Sequence, residues 1–270
     1  MKKVLFAMIE AGGGHKAPAR AVMEALEASF PGRYEALMLD FIKEVGCPKV
    51  DAAHKRSWNF LVGKPLLTHF VYQLQNIMGP VSRAILYRNL AAPAVPFAIR
   101  YLKRSRPDAV FSSHFLVSMI LIEARKRAGL SFELFTYQTE IFTYHALWRL
   151  PGTDWYLTAS DRAAQAAAEH GIKWSRIRSF PYPIRPGFLA DRRPAAEVAA
   201  ELGLDPARRT VLVSFGNQGA GMILQYLLTM ELMNVPLNVV VVAGRHAALR
   251  RRCASIKGLV PKIHLLPLGF

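Results

Sequence analysis

The chain has 270 residues, of which 52% are hydrophobic, so it can bury one large core or two of ordinary size and is not a disordered chain. Lys and Arg number 35 against 19 Asp and Glu, and the formal net charge of +16 favours an anionic partner. The basic residues lack zinc-finger spacing and any aromatic-rich nucleic-acid motif, so we expect no nucleic acid but an acidic membrane surface or a phosphorylated substrate.

The cysteines and the apolar runs indicate in which cellular compartment the protein lies and whether it spans a membrane. Cys47 and Cys253 are lone and far apart in the sequence. They argue against a disulfide framework or a metal site and indicate a reducing, cytoplasmic compartment. No stretch of about 18 residues is apolar without a charge, so we expect no transmembrane helix, and any membrane contact is expected to be peripheral.

The first part of the chain alternates between strand and helix signals. The apolar run 4–9 has the length of a strand, and the glycines after it lead to Pro18, which predicts a helix that opens at this proline and runs over 19–29. Similar signals predict strands over 34–39, 108–112, 132–137 and 155–158, and helices over 118–127 and 162–170. This alternation predicts an α/β domain with a largely parallel sheet.

A proline-rich stretch separates this domain from a second α/β unit. Four prolines between Ser179 and Pro194 predict an interdomain crossing. Strands are then predicted over 210–214, 238–243 and 263–266. A doubly wound domain normally has more than three strands, so the second domain is expected to be incomplete. We therefore expect an N-terminal domain over 1–180, a linker and helix over 181–208, and a partial C-terminal domain over 209–270.

One region departs from the α/β rhythm. Residues 54–72 mix aromatic side chains and leucines with basic residues over a helical or broken-helical stretch. This composition is typical of a segment that lies in a membrane interface, with Trp58, Phe60, Leu61 and Phe70 as the side chains in contact. The alternative is an ordinary packed helix pair that covers the sheet.

Two glycine-rich loops, 12–14 and 216–221, each lie between a predicted strand and a predicted helix. Such loops let a backbone approach a phosphate or a sugar, and the helix N-terminus favours negative charge. The first loop also fits a relaxed dinucleotide fingerprint, with Asp40 near the place of a ribose-binding acid, so an NAD-dependent oxidoreductase is an alternative. His15 and Lys16 would crowd a pyrophosphate there, and two such loops suit group transfer from a nucleotide-bound donor.

Five further motifs lie along the chain. They are GGGHKAPA at 12–19 with Ala25 and Leu26, TEIFTYHALW at 139–148, DWY at 154–156, PYPIRPGF at 181–188 and GNQGAGM at 216–222. Together, and in this order along nearly the whole chain, they resemble the family of monogalactosyldiacylglycerol synthases and processive diacylglycerol glucosyltransferases.

The resemblance implies a GT-B fold of two Rossmann-like domains, the second incomplete. It further implies inverting, metal-independent transfer of a hexose from UDP-glucose or UDP-galactose to the free hydroxyl of diacylglycerol. No cofactor is implied beyond the UDP-sugar co-substrate, and the enzyme would lie on the cytoplasmic face of an anionic membrane. His15 matches the family's histidine, placed to act as general base, since a neutral imidazole can take the hydroxyl proton.

The resemblance also distributes the remaining residues between two sites. The acceptor would be bound by Gly13, Gly14, Ser113, His114, Thr139, Glu140, His145 and Trp148. The donor would be bound by backbone donors and side chains at Gly216, Asn217, Gln218, Gly219, Gly221 and Met222.

Three departures from the family pattern leave alternatives open. Glu140 stands where the family has aspartate, and Asn217 and Gln218 stand where it is richer in glycine. The family's proline-glycine-glycine loop and following glutamate are expected beyond Phe270, so the chain is expected to be C-terminally truncated. The alternatives are a peptidoglycan-type N-acetylglucosaminyltransferase acting on a polyprenyl-linked acceptor, and a non-catalytic lipid-binding relic.

Overall fold

A computed structural model describes residues 1–61, 64–214, 222–244 and 247–269. The chain divides into two compact units, residues 1–190 and 191–270, and this division falls within the predicted linker. Each unit contains a parallel sheet with helices packed on it.

The first unit contains six strands and nine α-helices among its described residues. The strands are β1 Lys2–Met8, β2 Tyr34–Asp40, β3 Ala109–Ser112, β4 Glu133–Tyr137, β5 Trp155–Thr158 and β6 Ile177–Ser179. The helices are α1 Gly13–Ser29, α2 Phe41–Glu44, α3 Pro48–Leu61, α4 Pro65–Ile77, α5 Gly79–Leu86, α6 Ala92–Ser105, α7 Phe115–Ala128, α8 Asp161–Glu169 and α9 Pro186–Ala190. A π-helical turn, Tyr87–Ala91, joins α5 to α6.

The sheet of the first unit has the order β2-β1-β3-β4-β5-β6, with every neighbouring pair parallel. The chain therefore moves outward from β1 to β2 and then in the opposite direction from β3 onward. Ala7 of β1 lies opposite Ser112 of β3, so the loops after these two strands leave the sheet side by side. This is the topological switch point, where doubly wound sheets open a crevice for ligands.

Alternation along β1 divides the core between the two faces of the sheet. Leu5 and Ala7 are fully buried in the larger cluster, which the helices α6 and α7 cover. Phe6 points to the other face and packs with Phe111, whose ring centroid is 5.4 Å away, beneath α1. Because both faces are covered, β1 is apolar from Val4 to Met8, as expected of an interior parallel strand, and only its first two residues are lysines.

The second unit has a three-stranded parallel sheet of order β7-β8-β9 in its described part. Its elements are α10 Ala195–Glu201, β7 Arg209–Val213, α11 Ile223–Leu232, β8 Leu237–Gly244, α12 Ala247–Ser255 and β9 Ile263–Gly269. The central strand β8 is almost wholly buried, and its Val239 and Val241 pack with apolar side chains of α11 and α12.

The strands predicted from the apolar runs are confirmed, but the start of one helix was predicted wrongly and one short strand was missed. Helix α1 begins at Gly13, not at Pro18, so the proline is the sixth helical residue and His15 belongs to the first turn. The three-residue edge strand β6 was not predicted, because it is too short to give a periodic signal. Within the described residues, each helix is too short or too polar to cross a bilayer.

Candidate active site

The loops that follow β1 and β3 bring His15, Ser113 and His114 together at the switch point. Gly12 has a φ of 113°, a conformation that side chains rarely adopt, and it turns the chain from β1 into α1. The Ser113 amide donates to the Ala7 carbonyl at 3.3 Å, which keeps the two loops aligned. The His15 side chain is thereby placed in contact with the Ser113 backbone, 98 residues away in sequence.

A reciprocal pair of hydrogen bonds fixes the orientation of the His15 ring. The Nδ1 atom of His15 lies 2.6 Å from the Ser113 carbonyl oxygen, and the Ser113 hydroxyl donates to the His15 carbonyl at 2.7 Å. Because a carbonyl can only accept, Nδ1 must carry the proton. The other ring nitrogen, Nε2, therefore holds a lone pair and can accept a proton from a substrate.

His15 belongs to a cluster of three imidazole rings. Its ring centroid lies 4.4 Å from that of His114, which in turn lies 5.1 Å from that of His54 on α3. Burial lowers the pKa of His15 to about 4, against a smaller opposing effect of the Ser113 carbonyl. Burial also lowers the pKa of His54 to about 4 and that of His114 well below its usual value. All three rings are therefore neutral at physiological pH.

His114 has a structural role besides its contact with His15. It is buried and caps α7, since its Nδ1 accepts a hydrogen bond from the Leu116 amide at 3.1 Å. His145 does the same at the short helical turn 146–148, accepting from the Leu147 amide at 3.3 Å. Sequence reasoning assigned both histidines to acceptor binding, and that role stays a prediction.

Gly13 and Gly14 leave open space beside His15. A Cβ atom added at either glycine would meet no other atom within 4 Å, and both residues are exposed. Packing within the protein therefore does not require glycine at these positions. The absence of side chains leaves room for a ligand to approach the first turn of α1.

A buried ion-pair network supports the same end of the sheet. The ammonium group of Lys55, on α3, binds the carboxylates of Asp40 and Asp51, the latter at 2.9 Å, and Asp40 also accepts from the Glu10 amide at 3.2 Å. Burial acts to lower the pKa of Lys55, but the two aspartates outweigh it and raise the pKa. Because its carboxylate is engaged inside the protein, Asp40 is poorly placed to hold a ribose, which disfavours the oxidoreductase alternative.

The 139–148 loop is organised by a buried glutamine at the end of β4. The Gln138 amide nitrogen donates to the carbonyls of Glu140 and Thr143 at 3.0 and 2.6 Å, and its oxygen accepts from the Tyr156 hydroxyl at 2.8 Å. Thr139 and Glu140 are half-buried next to it. Gln138 thus sets the shape of a loop that the resemblance places on the acceptor side.

A chain of rings connects this loop to His15. Trp148 is fully buried, and its ring meets that of Phe115 edge-on at 5.7 Å, while Phe115 packs on His114 at 4.5 Å. Within the described residues, Trp148 Nε1, His145 Nε2 and Glu140 Oε2 have no hydrogen-bond partner although they are buried. Burial raises the pKa of Glu140, an effect that the nearby Trp148 indole partly offsets.

The other predicted site residues belong to the predicted donor loop and the predicted membrane segment. Gly216, Asn217, Gln218, Gly219 and Gly221 fall outside the described residues. Met222 immediately precedes α11 and is exposed. Of the predicted membrane residues, Phe60 and Phe70 are exposed on α3 and α4, whereas Trp58 and Leu61 are half-buried.

Sequence reasoning missed His54 and Gln138. His54 lies on a helix that is distant in sequence from His15, and no local sequence pattern indicates that the two side chains belong to one cluster. Gln138 directly precedes a quoted motif, and its position at the end of a buried strand was the available signal. In the part of the chain that the structure describes, no three His, Cys, Asp or Glu side chains are grouped so as to hold a metal ion.

Comparisons with known proteins point to one family. A family model described as monogalactosyldiacylglycerol (MGDG) synthase matches residues 15–184. The chain is 29% identical over 272 residues to the monogalactosyldiacylglycerol synthase of Spinacia oleracea and 28% identical to synthase 1 of Arabidopsis thaliana. These alignments cover 96% of this chain but 51% and 50% of the relatives, so the chain spans about half their length.

Two solved structures share the fold at low sequence identity. Anabaena HepE in complex with UDP-glucose matches with a TM-score of 0.56 and 13% identity, covering 100% of this chain and 69% of HepE. MurG of Acinetobacter baumannii matches with a TM-score of 0.53 and 15% identity, covering 100% of this chain and 67% of MurG. At these identities the likeness concerns the fold alone.

Proposed function

Because the chain belongs to the monogalactosyldiacylglycerol synthase family, we propose that it transfers a hexose from a UDP-sugar to the free hydroxyl of diacylglycerol. Its fold is GT-B, as the sequence predicted, and it is shared with HepE and MurG. HepE binds UDP-glucose, which supports a UDP-sugar donor for this chain too. The donor sugar is proposed to be glucose or galactose.

The observation that carries the proposal is the hydrogen bond that fixes the His15 ring. The Ser113 carbonyl holds the proton on Nδ1, which leaves the lone pair of Nε2 to accept a proton. Gly13 and Gly14 present no side chain beside this ring and would let the glycerol hydroxyl come close to it. A base placed in this way contributes about 10²- to 10⁴-fold to the rate of a proton transfer.

The proposed reaction is a single displacement with inversion at the anomeric carbon. His15 Nε2 takes the proton of the diacylglycerol hydroxyl while the oxygen forms the new bond to the anomeric carbon. The bond from that carbon to the UDP oxygen breaks, and UDP leaves with the electron pair. Burial disfavours the charged imidazolium, so His15 returns its proton readily and is neutral for the next turnover.

The roles predicted for the other residues complete the proposal. Ser113 positions His15 through a hydrogen bond, and the His114 ring packs against the His15 ring. The loop with Thr139, Glu140, His145 and Trp148 forms the acceptor side. The residues 216–222, at the start of a helix, are proposed to hold the UDP diphosphate through backbone N–H groups.

Exposed apolar side chains on α3, α4 and α5 support peripheral binding to a membrane. They are Phe60, Leu66, Leu67, Phe70, Leu74, Ile77, Val81 and Ile85. The Lys64 ammonium lies 3.4 Å from the centre of the Phe60 ring, a pairing of cation and aromatic suited to an anionic interface. We propose that these helices hold the protein on the cytoplasmic face of the membrane, where diacylglycerol resides.

The membrane contact is tested by vesicle sedimentation. Changing Phe60 and Phe70 together to serine should weaken binding to vesicles containing phosphatidylglycerol by at least about thirtyfold, since even burying half of each ring gains about 1 kcal/mol. Phe30→Ser, at an exposed phenylalanine outside these helices, is the matched control and should bind as the unchanged protein does. Equal binding of all three proteins would remove α3 and α4 from the membrane contact.

The transfer itself is tested with radiolabelled donors. The protein is incubated with vesicles of phosphatidylglycerol and dioleoylglycerol and with UDP-galactose or UDP-glucose in separate reactions. We expect label in a monohexosyl diacylglycerol from one of the two donors. No labelled lipid from either donor would contradict the proposed function.

A further inference from the structure

His54 is the member of the histidine cluster to which the proposed transfer gives no role. Its ring meets the His114 ring edge-on, with the centroids 5.1 Å apart and the ring planes at 88°. The next residue of α3, Lys55, binds Asp51 on the same helix and Asp40 at the end of β2. These ion pairs fix the turn of α3 that carries His54 to the sheet, so the helix, and not only the ring contact, holds His54 at the cluster.

The His114 ring connects His54 to His15. Its centroid lies 4.4 Å from that of His15 and 4.5 Å from that of Phe115, in addition to the contact with His54. Only 2% of His114 is exposed, whereas each of these three neighbours is half-buried. The three rings therefore stand between His114 and water, and His54 provides the part of this cover that comes from α3.

The cap of α7 requires an uncharged His114. Its Nδ1 accepts a hydrogen bond from the Leu116 amide at 3.1 Å, so Nδ1 holds a lone pair and the ring proton is on Nε2. A second proton, on Nδ1, would break this cap and charge a ring whose centroid lies 4.4 Å from that of His15. A like charge so close opposes the protonation of His15, which is the step that the proposed base performs.

Burial and the neighbouring cations disfavour a proton on the three rings. Burial is the largest cause that lowers the pKa of each ring. His54 further lowers the pKa of His15, and both of these rings lower that of His114, while the Lys55 ammonium lowers that of His54. At His15 the Ser113 carbonyl acts in the opposite direction, but burial outweighs it. A change that lets water reach the cluster should therefore raise these pKa values towards 6.5.

We propose that His54 is a positioning residue for the proposed base. Its ring covers His114 on the α3 side and keeps the pair of His114 and His15 uncharged until His15 takes the proton of the acceptor hydroxyl. His54 acts through His114 and does not touch the reacting atoms. The role rests on the proposed transfer, whereas the cover that His54 gives to the pair does not. Because this cover requires a ring and not a titratable group, phenylalanine should replace His54 and alanine should not.

The cover is tested first without substrate, by an NMR titration of the histidine rings in the full chain. His15→Gln and His114→Asn identify the signals of the two rings. The pKa of His15, about 4 in the unchanged protein, should rise above about 5 in His54→Ala and stay near 4 in His54→Phe. His69→Gln, at an exposed histidine of α4, is the matched control and should leave the pKa of His15 unchanged. An unchanged pKa of His15 in His54→Ala, or an equal rise in His54→Phe, would overturn the proposal.

The positioning role is tested by the pH dependence of transfer, with dioleoylglycerol in vesicles and the donor that the unchanged protein accepts. In the unchanged protein and in His54→Phe, kcat/KM should stay constant from about pH 8 to about pH 5. In His54→Ala it should match them at about pH 8 and fall at least about twofold at about pH 5, because more than half of the His15 rings are then charged. Loss by one factor at every pH would show a merely structural role and overturn the proposal.

Two readings keep this test separate from other failures. Thermal unfolding at each pH checks that every variant is folded. Transfer by none of the proteins, the unchanged one included, would contradict the proposed function alone, and the NMR titration would still decide whether His54 covers the pair.

Discussion

The surroundings of His15 and those of Arg83, on α5, differ in how buried polar atoms are paired. Around His15, Lys55 is held between two aspartates, and the proton on His15 Nδ1 is bound to a carbonyl. On α5, the buried Nε of Arg83 has no hydrogen-bond partner among the described residues, and burial together with the cation Arg149 lowers the pKa of Arg83. Both regions lie in the first unit, so the difference comes from the charged and polar side chains immediately around each group.

The difference distinguishes polar groups that the protein itself holds in place from a polar group that it leaves unpaired. A base must be oriented before the substrate arrives, so its supporting groups are satisfied within the protein. Removing a paired charge leaves its buried partner uncompensated and should therefore cost folding stability. Removing Arg83, whose Nε makes no hydrogen bond among the described residues, should cost little stability.

The largest stability effect should come from Lys55→Met. The change leaves Asp40 and Asp51 buried side by side without their cation, and the unfolding free energy should fall by about 3 kcal/mol. Arg83→Gln should leave it unchanged within about 0.5 kcal/mol. Urea unfolding followed by circular dichroism measures both. Lys49→Met, at an exposed lysine of the same helix, is the control and should behave as the unchanged protein. An equal loss in the Lys55 and Arg83 variants would abolish the contrast.

The histidine cluster should make stability depend on pH. The unfolded chain binds protons on these rings below about pH 6.5, whereas folded His15 and His54 stay neutral down to about pH 4. The unfolding free energy should therefore fall as the pH drops through this window, by up to about 1.4 kcal/mol per pH unit for each ring. His54→Gln should reduce the slope by up to that amount. A slope that this variant leaves unaltered would show that His54 titrates normally in the folded protein.

The smallest stability effects should distinguish two glycines of the same loop, Gly12 and Gly14. The Cβ atom added by Gly14→Ala would meet no atom within 4 Å, and alanine is a better helix former than glycine, so the unfolding free energy should rise by about 0.5 kcal/mol. The rate of sugar transfer should fall, because the methyl group occupies space beside His15. Gly12→Ala forces a side chain into a φ of 113° and should lower stability by about 1 kcal/mol or more. Denaturation and transfer assays on both variants provide the comparison. Full transfer activity in Gly14→Ala would mean that no ligand approaches this turn.

The parallel sheet could be predicted because its strands are buried on both faces. Runs such as residues 4–9 are apolar throughout and end at glycine or polar residues, which fixes each strand to within a few residues. The start of α1 could not be predicted in the same way. A proline suggests the first turn of a helix, and here the contacts of His15 with Ser113 stabilise a turn that begins five residues earlier.

The candidate site could be predicted only where its residues share a motif. His15 lies in the glycine-rich motif, and its role follows from the resemblance. His54, Lys55 and Arg83 carry no local signal, because what makes them notable is a partner, or the lack of one, that is distant in sequence. The fold decides which helix faces which strand end, and that information is not in any short stretch of the sequence.

The most direct test of His15 as the base is transfer by His15→Ala. With the donor that the unchanged protein accepts, and with dioleoylglycerol in vesicles of phosphatidylglycerol, initial rates are measured for both proteins. The rate should fall by about 10²- to 10⁴-fold while vesicle binding stays the same, because the lost group acts on the proton and not on the membrane. A His15→Ala variant that transfers sugar at the unchanged rate would contradict the account.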